Sequence, residues 1–310
     1  MDRITIHRIN VISRYLFTWK AFFPAYRLSK EVDIVHTTSY NAGLPALLAA
    51  LINRKKSIIT FHEVWGKLWF RLPFSNKISA LFHSLFEKIL LILPFNLFVA
   101  VSNATKKRIL ENGVSENRIK VIYNGLTYKN TKVPESKNKV YTYFGRLGMS
   151  KGLDLLLPAS IPFLKENPDY KLRLITPQKP AHIYQYLQKI IQKNQLEKQI
   201  EWKHEVPQQE LENLLLSSKW VVIPSYSEGF CFAAAESAAL GIPILASDKG
   251  SLPEVVSGLH LFFKPHSIDA LTQTLKKASD QKWESKPLIK FELTQTVQSY
   301  LEVYQQMLQD

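Results

Sequence analysis

Two glutamates, two cations and a histidine are the side chains from which this chain could build a polar reaction site. Glu228 and Glu236 stand with seven residues between them in SEGFCFAAAES. Glu236 falls among Ala233, Ala234, Ala235 and Ala239, a small apolar helical face where an unpaired carboxylate is costly to bury. A vicinal diol, such as a ribose, offers hydroxyl donors to both oxygens of such a carboxylate. Spacing alone would equally leave the two as a solvated helix residue and a loop charge. Arg146 and Lys151 stand in GRLGMSKG, between the apolar run Val140–Phe144 and the helical LDLLL. Two cations at a strand-to-helix turn, beside free helix N–H groups, suit a diphosphate; taken as an isolated pair they are ordinary surface charges. His62 closes the run SIITF and is followed by Glu63. A single histidine is more often structural than catalytic.

The elements that must position these groups are legible around them. Trp220–Pro224 reads as a strand, Ser225–Cys231 as a loop and Phe232–Leu240 as an Ala-rich helix stopped by Gly241. Pro243–Ser247 then supplies the next apolar run, which completes a βαβ unit of a parallel sheet. Ligands of such sheets bind at the carboxyl ends of the strands, where the loop Ser225–Cys231 lies. His62 occupies the same kind of position after Ser57–Phe61.

SEGF before AAAE, then ALGIPILAS and GSLPEVV, resembles the donor site of the retaining glycosyltransferases of family GT4. The match runs without a gap from Val221 to Gly258, and departs where the family usually has glycine and this chain has Cys231. GR-x4-KG is similar to the family's diphosphate-binding pair. FHEVWG resembles the segment whose histidine faces the transferred sugar, and VAVSNATKKRI to VIYNGL resembles the close of the N-terminal domain. The resemblance covers about residues 32–265. It implies an α/β chain of the GT-B fold, two Rossmann-like domains with parallel sheets facing across a cleft. The implied reaction is sugar transfer from a nucleotide diphosphate sugar with retention of configuration. By resemblance Arg146 and Lys151 neutralise the diphosphate, Glu236 holds the ribose, and Glu228 touches the sugar. Gly229, Phe230 and Cys231 complete the donor loop, and His62 with Glu228 forms the catalytic set. No metal and no cofactor are implied. The acceptor would be a glycan or a lipid-linked precursor, as in polysaccharide biosynthesis. The alternatives are a non-catalytic, membrane-associated binding module on a degenerate GT-B scaffold, and a GT-B phosphorylase or epimerase.

Composition sets the outer bounds. The 310 residues are 46% hydrophobic and 21% charged, as in a soluble globular protein of one large or two ordinary domains. One cysteine excludes an internal disulfide framework and suits the cytosol. No signal peptide is visible at Met1–Ser13, and the longest apolar run, 89–101, is too short to span a bilayer. Residues 1–137 hold 21 Lys and Arg against 8 Asp and Glu, a net of +13 out of +14 for the whole chain. Between Trp65 and Phe95, large apolar residues interleave with Lys67, Arg71, Lys77, His83 and Lys88. That pattern suits a helix on an anionic lipid surface, so a peripheral place at the inner face of the plasma membrane is expected. The same pattern also fits core aromatics with a solvated basic outer face. No nucleic-acid-binding module is recognisable.

Taken in order, Ile4–Ile6 is expected to be a short strand and Ser13–Leu28 an aromatic helix bent or ended at Pro24. Strands are expected at Val32–His36, Ser57–Phe61, Leu97–Ser102 and Ile119–Tyr123, with helices at Leu44–Ile52 and Asn103–Asn112. The polar segment 129–139 is the expected linker. Residues 1–137 would form the first domain, 138–292 the second, and 293–310 a helix crossing back to the first. Pro177–Pro180 replaces a glycine-bearing turn of many relatives, which puts base contacts in doubt. No glycine precedes Gly43, so the first domain is expected to lack its opening strand, glycine loop and helix.

Overall fold

The computed structural model describes residues 4–128 and 138–309, so most of the expected linker lies outside the described residues. The chain divides into two compact units. The first comprises Met1–Lys67, Ile78–Tyr123 and Thr294–Asp310, and the second Leu68–Lys77 and Asn124–Leu293.

In the first unit, helices α1 (Arg14–Lys20) and α2 (Phe22–Leu28) precede β1 (Ile34–Thr38), α3 (Gly43–Ile52) and β2 (Lys56–Phe61). Then come α4 (Lys77–Ile92), β3 (Leu97–Ala100), α5 (Asn103–Glu111) and β4 (Ile119–Val121). The four strands form one parallel sheet in the order β1-β2-β3-β4. Its continuous apolar runs fit a sheet covered on both faces: every residue of β2 after Lys56 is buried. Phe61 stacks on Phe98 at 6.1 Å, and Leu47, Leu90 and Ile109 close over them. The α5 helix opens at Ser102, whose hydroxyl accepts from Thr105 N, and stops before Gly113 at φ +90°.

Two expectations fail here for local reasons. Residues 4–6 form no strand, and Ile4 and Ile6 are 81% and 73% exposed. Alternation over three residues carries no structure without a neighbouring strand to satisfy its backbone. The expected single helix breaks at Ala21, not at Pro24. Pro24 is the third residue of α2, in the first turn, where an N–H is not needed for an intrahelical bond.

The second unit runs β5 (Val140–Phe144), α6 (Leu153–Glu166), β6 (Lys171–Ile175), α7 (Ala181–Lys193), β7 (Ile200–Lys203) and α8 (Gln208–Leu216). It continues with β8 (Trp220–Ile223), α9 (Phe232–Ala239), β9 (Ile244–Ser247), α10 (Leu252–Val255), β10 (Gly258–Phe263), α11 (Ile268–Ser279) and β11 (Glu284–Lys286). The strand order is β11-β10-β9-β8-β5-β6-β7, parallel except for β11. The polar triplet of β11 carries no strand signal of its own. Its pairing with β10 forms the edge. Tyr141 and Trp220 stack at 5.6 Å in the centre, with Phe163 edge-on to Tyr141. The last helix, α12 (Leu293–Gln309), belongs almost wholly to the first unit. There Val303 and Met307 pack with Ile58 and Val99 on the sheet.

Candidate functional site

Strand order in the second unit reverses between β5 and β8, which are hydrogen-bonded neighbours with separate connections leading outward on either side. Such a switch point opens a crevice at the carboxyl ends of the two strands. The turn after β5 carries Arg146 and Lys151, and the turn after β8 carries Glu228. Gly152, at φ +69°, is where the two turns touch: a Cβ built there would sit 1.9 Å from Pro224 O. Tyr226 N donates to Ser150 O at 2.8 Å and ties them again. The turn after β9 closes from the other side. Gly250, at φ +62°, would place a Cβ 2.6 Å from Glu228 O, and Ser251 N donates to that oxygen at 3.1 Å.

Glu228 is thereby held by its backbone, and its side chain is only 9% exposed. Its Oε1 accepts from Lys151 Nζ at 2.7 Å and from Ser225 Oγ at 2.6 Å. Arg146 is exposed, and its carbonyl accepts from Tyr143 Oη at 2.9 Å. Burial pushes the Tyr143 phenol well up, Glu228 and Cys231 push it further, and Arg146 opposes them. Arg146, Lys151, Glu228 and Cys231 therefore share one neighbourhood. Phe230 is buried edge-on to Phe232 and Phe291, which fixes the loop before α9. Tyr226 stacks on His266 at 4.6 Å and donates to Asp154 Oδ2 at 2.6 Å, fixing the other side.

Cys231 adopts φ +75°, the left-handed region that favours glycine. That conformation accounts physically for glycine at the matching position of the family. Burial first, then Glu228, pushes the Cys231 thiol up, so it stays protonated. Glu236 is half-buried, and desolvation raises its carboxyl. It lines a cavity of about 260 Å³ with Tyr128, Gln208 and Glu212. Arg146, Lys151 and Glu228 are not among the lining residues, so the cavity adjoins the set at Glu236 alone.

His62 belongs to the first unit, exposed at the carboxyl end of β2, and nearby protein lowers its imidazole pKa by desolvation. A residue that the sequence reading missed shapes the turn after it. Glu87 of α4 is 1% exposed. Its Oε1 accepts from Gly66 N at 2.7 Å, and its Oε2 from Trp65 N at 2.9 Å and Tyr40 Oη at 3.1 Å. The available signal was one acid inside the apolar run LFHSLFEKILLI. His36 pairs with Tyr304 Oη at 2.7 Å and Thr60 Oγ1 at 2.8 Å; burial first and then His62 lower its pKa.

Residues 127–291 match the family described as glycosyl transferases group 1, and residues 2–128 match glycosyltransferase family 4. The chain is a member of the group 1 glycosyl transferases. An uncharacterized glycosyltransferase of Methanocaldococcus jannaschii is 31% identical over 48% of this chain and 40% of its own length. A second one from that organism is 26% identical over 75% of this chain and 62% of its own length. The MMP alpha-(1->4)-mannosyltransferase of Mycolicibacterium hassiacum is 28% identical over 89% of this chain and 72% of its own length. Thus the chain spans less than two thirds of the length of the two archaeal relatives. Among solved structures, an Anabaena protein in complex with UDP-glucose superposes with a TM-score of 0.77 at 18% identity, covering 92% of this chain and 82% of that one. A glycosyltransferase from Rickettsia africae gives 0.72 at 20%, covering 98% and 84%. At these identities the likeness shows the fold, which is GT-B.

Proposed function

We propose that the chain transfers a glycosyl residue from a nucleoside diphosphate sugar to an acceptor hydroxyl, with retention of configuration. The carrying observation is the ion pair of Lys151 with Glu228 at the β5–β8 switch point, with Arg146 on the same turn. In the reaction the anomeric C–O bond to the diphosphate breaks and the bond to the acceptor oxygen forms. The acceptor proton leaves with the departing phosphate oxygen. Charge growing on the leaving diphosphate is what Arg146, Lys151 and the N-terminal N–H groups of α6 meet, and two preorganised cations could serve there without a metal. Glu228, freed from Lys151 when phosphate takes the ammonium, turns to the sugar hydroxyls. Glu236 accepts from the ribose diol. Its raised carboxyl pKa reflects a desolvated acceptor that such donors would satisfy. The catalytic role of His62 rests on the resemblance of its FHEVWG segment. The Anabaena structure with UDP-glucose and the Mycolicibacterium mannosyltransferase support a hexose donor, and a glycan or lipid-linked acceptor is the natural counterpart.

The test is turnover of UDP- and GDP-hexoses, with and without lipid-linked acceptors, comparing wild type with Glu228→Gln. Glu228→Gln is expected to lose more turnover than donor affinity. Stoichiometric donor binding with no turnover under any acceptor would instead support a non-catalytic binding module.

A further inference from the structure

The outer face of α4 has the composition of an inner one. Its buried side uses Ala80, Ser84, Glu87 and Leu91 to reach the core. The opposite side presents Ile78, Leu81, Phe82, Leu85, Ile89 and Ile92, with exposures of 67%, 56%, 66%, 52%, 38% and 74%. At 100° per residue these six fall within an arc of about 100°, a full amphipathic stripe facing away from the protein. Lys88 follows along one border, and it too is exposed.

Tyr15 Oη and Arg14 Nη2 both lie within 3.1 Å of His83 Nε2, which brings the start of α1 to the flank of α4. Beyond that contact Trp19 is 72% exposed and Phe23 67%. Large contiguous apolar surfaces on a globular protein mark an interaction site rather than ordinary scatter.

Charge identifies the occupant. From Arg3 to Lys30 the chain contains no Asp or Glu but six Lys and Arg residues. From Val64 to Phe86 it again has no acid, and the carboxylate of α4, Glu87, is buried in the core. Both segments therefore carry exposed cations, Lys88 beside the stripe and Arg14 and Lys20 on α1, and no exposed acid. We infer that the α1–α4 face of the first unit docks on an anionic lipid surface, the apolar stripe entering the headgroup boundary while Arg14, Lys20 and Lys88 stay at the phosphate level. The segment that the sequence singled out, Trp65–Phe95, contributes differently from its composition. Trp69 and Phe95 are buried, and Phe74 packs edge-on to Tyr186, so the exposed apolar residues of α4, Phe82 among them, form the contact. Among the described residues no helix is long and apolar enough to cross a membrane, so this is surface docking. It goes beyond the donor chemistry and uses none of its residues.

The experiment is co-sedimentation of the full chain with phosphatidylglycerol-containing vesicles and with pure phosphatidylcholine vesicles. The chain should bind the anionic vesicles and be released as salt rises through 0.1–0.5 M, because surface attractions are screened over ~10 Å at 0.1 M. Leu81→Glu and Phe82→Glu, at exposed positions where folding is not at stake, should each lower the partition constant about tenfold. Leu288→Glu, exposed on the second unit, should leave it unchanged. Quenching by brominated lipid that falls when Trp19 is replaced (Trp19→Phe) places α1 at the interface. Equal binding to both vesicle types, or to neither, overturns the inference. A concentration-dependent dimer abolished by Phe82→Glu, without vesicle binding, overturns it in favour of a second copy as occupant. Donor titration by calorimetry, read separately, keeps this outcome distinct from a failure of the proposed transferase activity.

Discussion

Replacing Gly152 by alanine strikes the contact on which the proposed donor site is built. Two penalties can be read from the geometry. Alanine at φ +69° costs about 1–2 kcal/mol, because its Cβ crowds the following carbonyl in the left-handed region. The added Cβ would also lie 1.9 Å from Pro224 O and 2.7 Å from Pro224 C, both backbone atoms with no flexible end to move aside. Relieving that overlap by shifting the turn costs about 1–3 kcal/mol. Together these come to roughly 2–5 kcal/mol, or about 5–15 °C in the Tm of a unit of this size. The shift must also draw Lys151 away from Glu228, since the two turns separate at the residue next to Lys151. Differential scanning calorimetry with donor titration checks both effects on one sample. Gly148→Ala is the control: its Cβ would meet only the flexible Lys151 Cγ at 3.3 Å, at an ordinary φ. If Gly152→Ala melted with wild type and bound donor equally well, the close approach of the two turns would be wrong, and the site with it.

Two further outcomes follow from the same turns. At position 231 glycine should be more stable than alanine by about 1 kcal/mol, since the backbone there holds φ +75°; comparing Cys231→Gly with Cys231→Ala in urea melts checks this, and the reverse order would contradict it. Glu236 has a folded-state carboxyl raised by desolvation, so the folded protein holds its proton more tightly and loses stability as pH rises past about 4.5. Glu236→Gln should therefore raise Tm at pH 7–8 and lose that advantage toward pH 4, while weakening donor binding at neutral pH; Tm measured across pH, with parallel titrations, checks both signs.

How much of this was legible in sequence depends on where the information resides. The βαβ unit around Glu228 was readable because its strands are short apolar runs bounded by glycine and proline, and its helix is alanine-rich. Family resemblance then grouped Arg146, Lys151 and Glu228, which the fold brings to one switch point. The Lys151–Glu228 ion pair was not readable, since the partners are 77 residues apart and meet only through the close approach at Gly152. Because of that pair, Lys151→Ala strips a cation from a nearly buried carboxylate, so it should cost stability as well as phosphate binding. Glu87 was invisible for a similar reason, because its backbone partners lie in a turn more than twenty residues upstream. The failed strand at 4–6 and the polar strand β11 make the complementary point. Alternation without a neighbour gives no strand, and a neighbour without alternation can give one.

The proposed transferase activity requires a nucleoside diphosphate site held by Arg146 and Lys151. Calorimetric titration of UDP, GDP and ADP into wild type, Arg146→Ala and Lys151→Met tests it most directly. At least one nucleotide should bind wild type at one per chain. Each substitution should weaken it roughly 10- to 150-fold, the loss of a charge-assisted hydrogen bond of about 1.5–3 kcal/mol. No binding of any nucleotide to the folded wild type, or an affinity unchanged in both variants, would contradict the assignment.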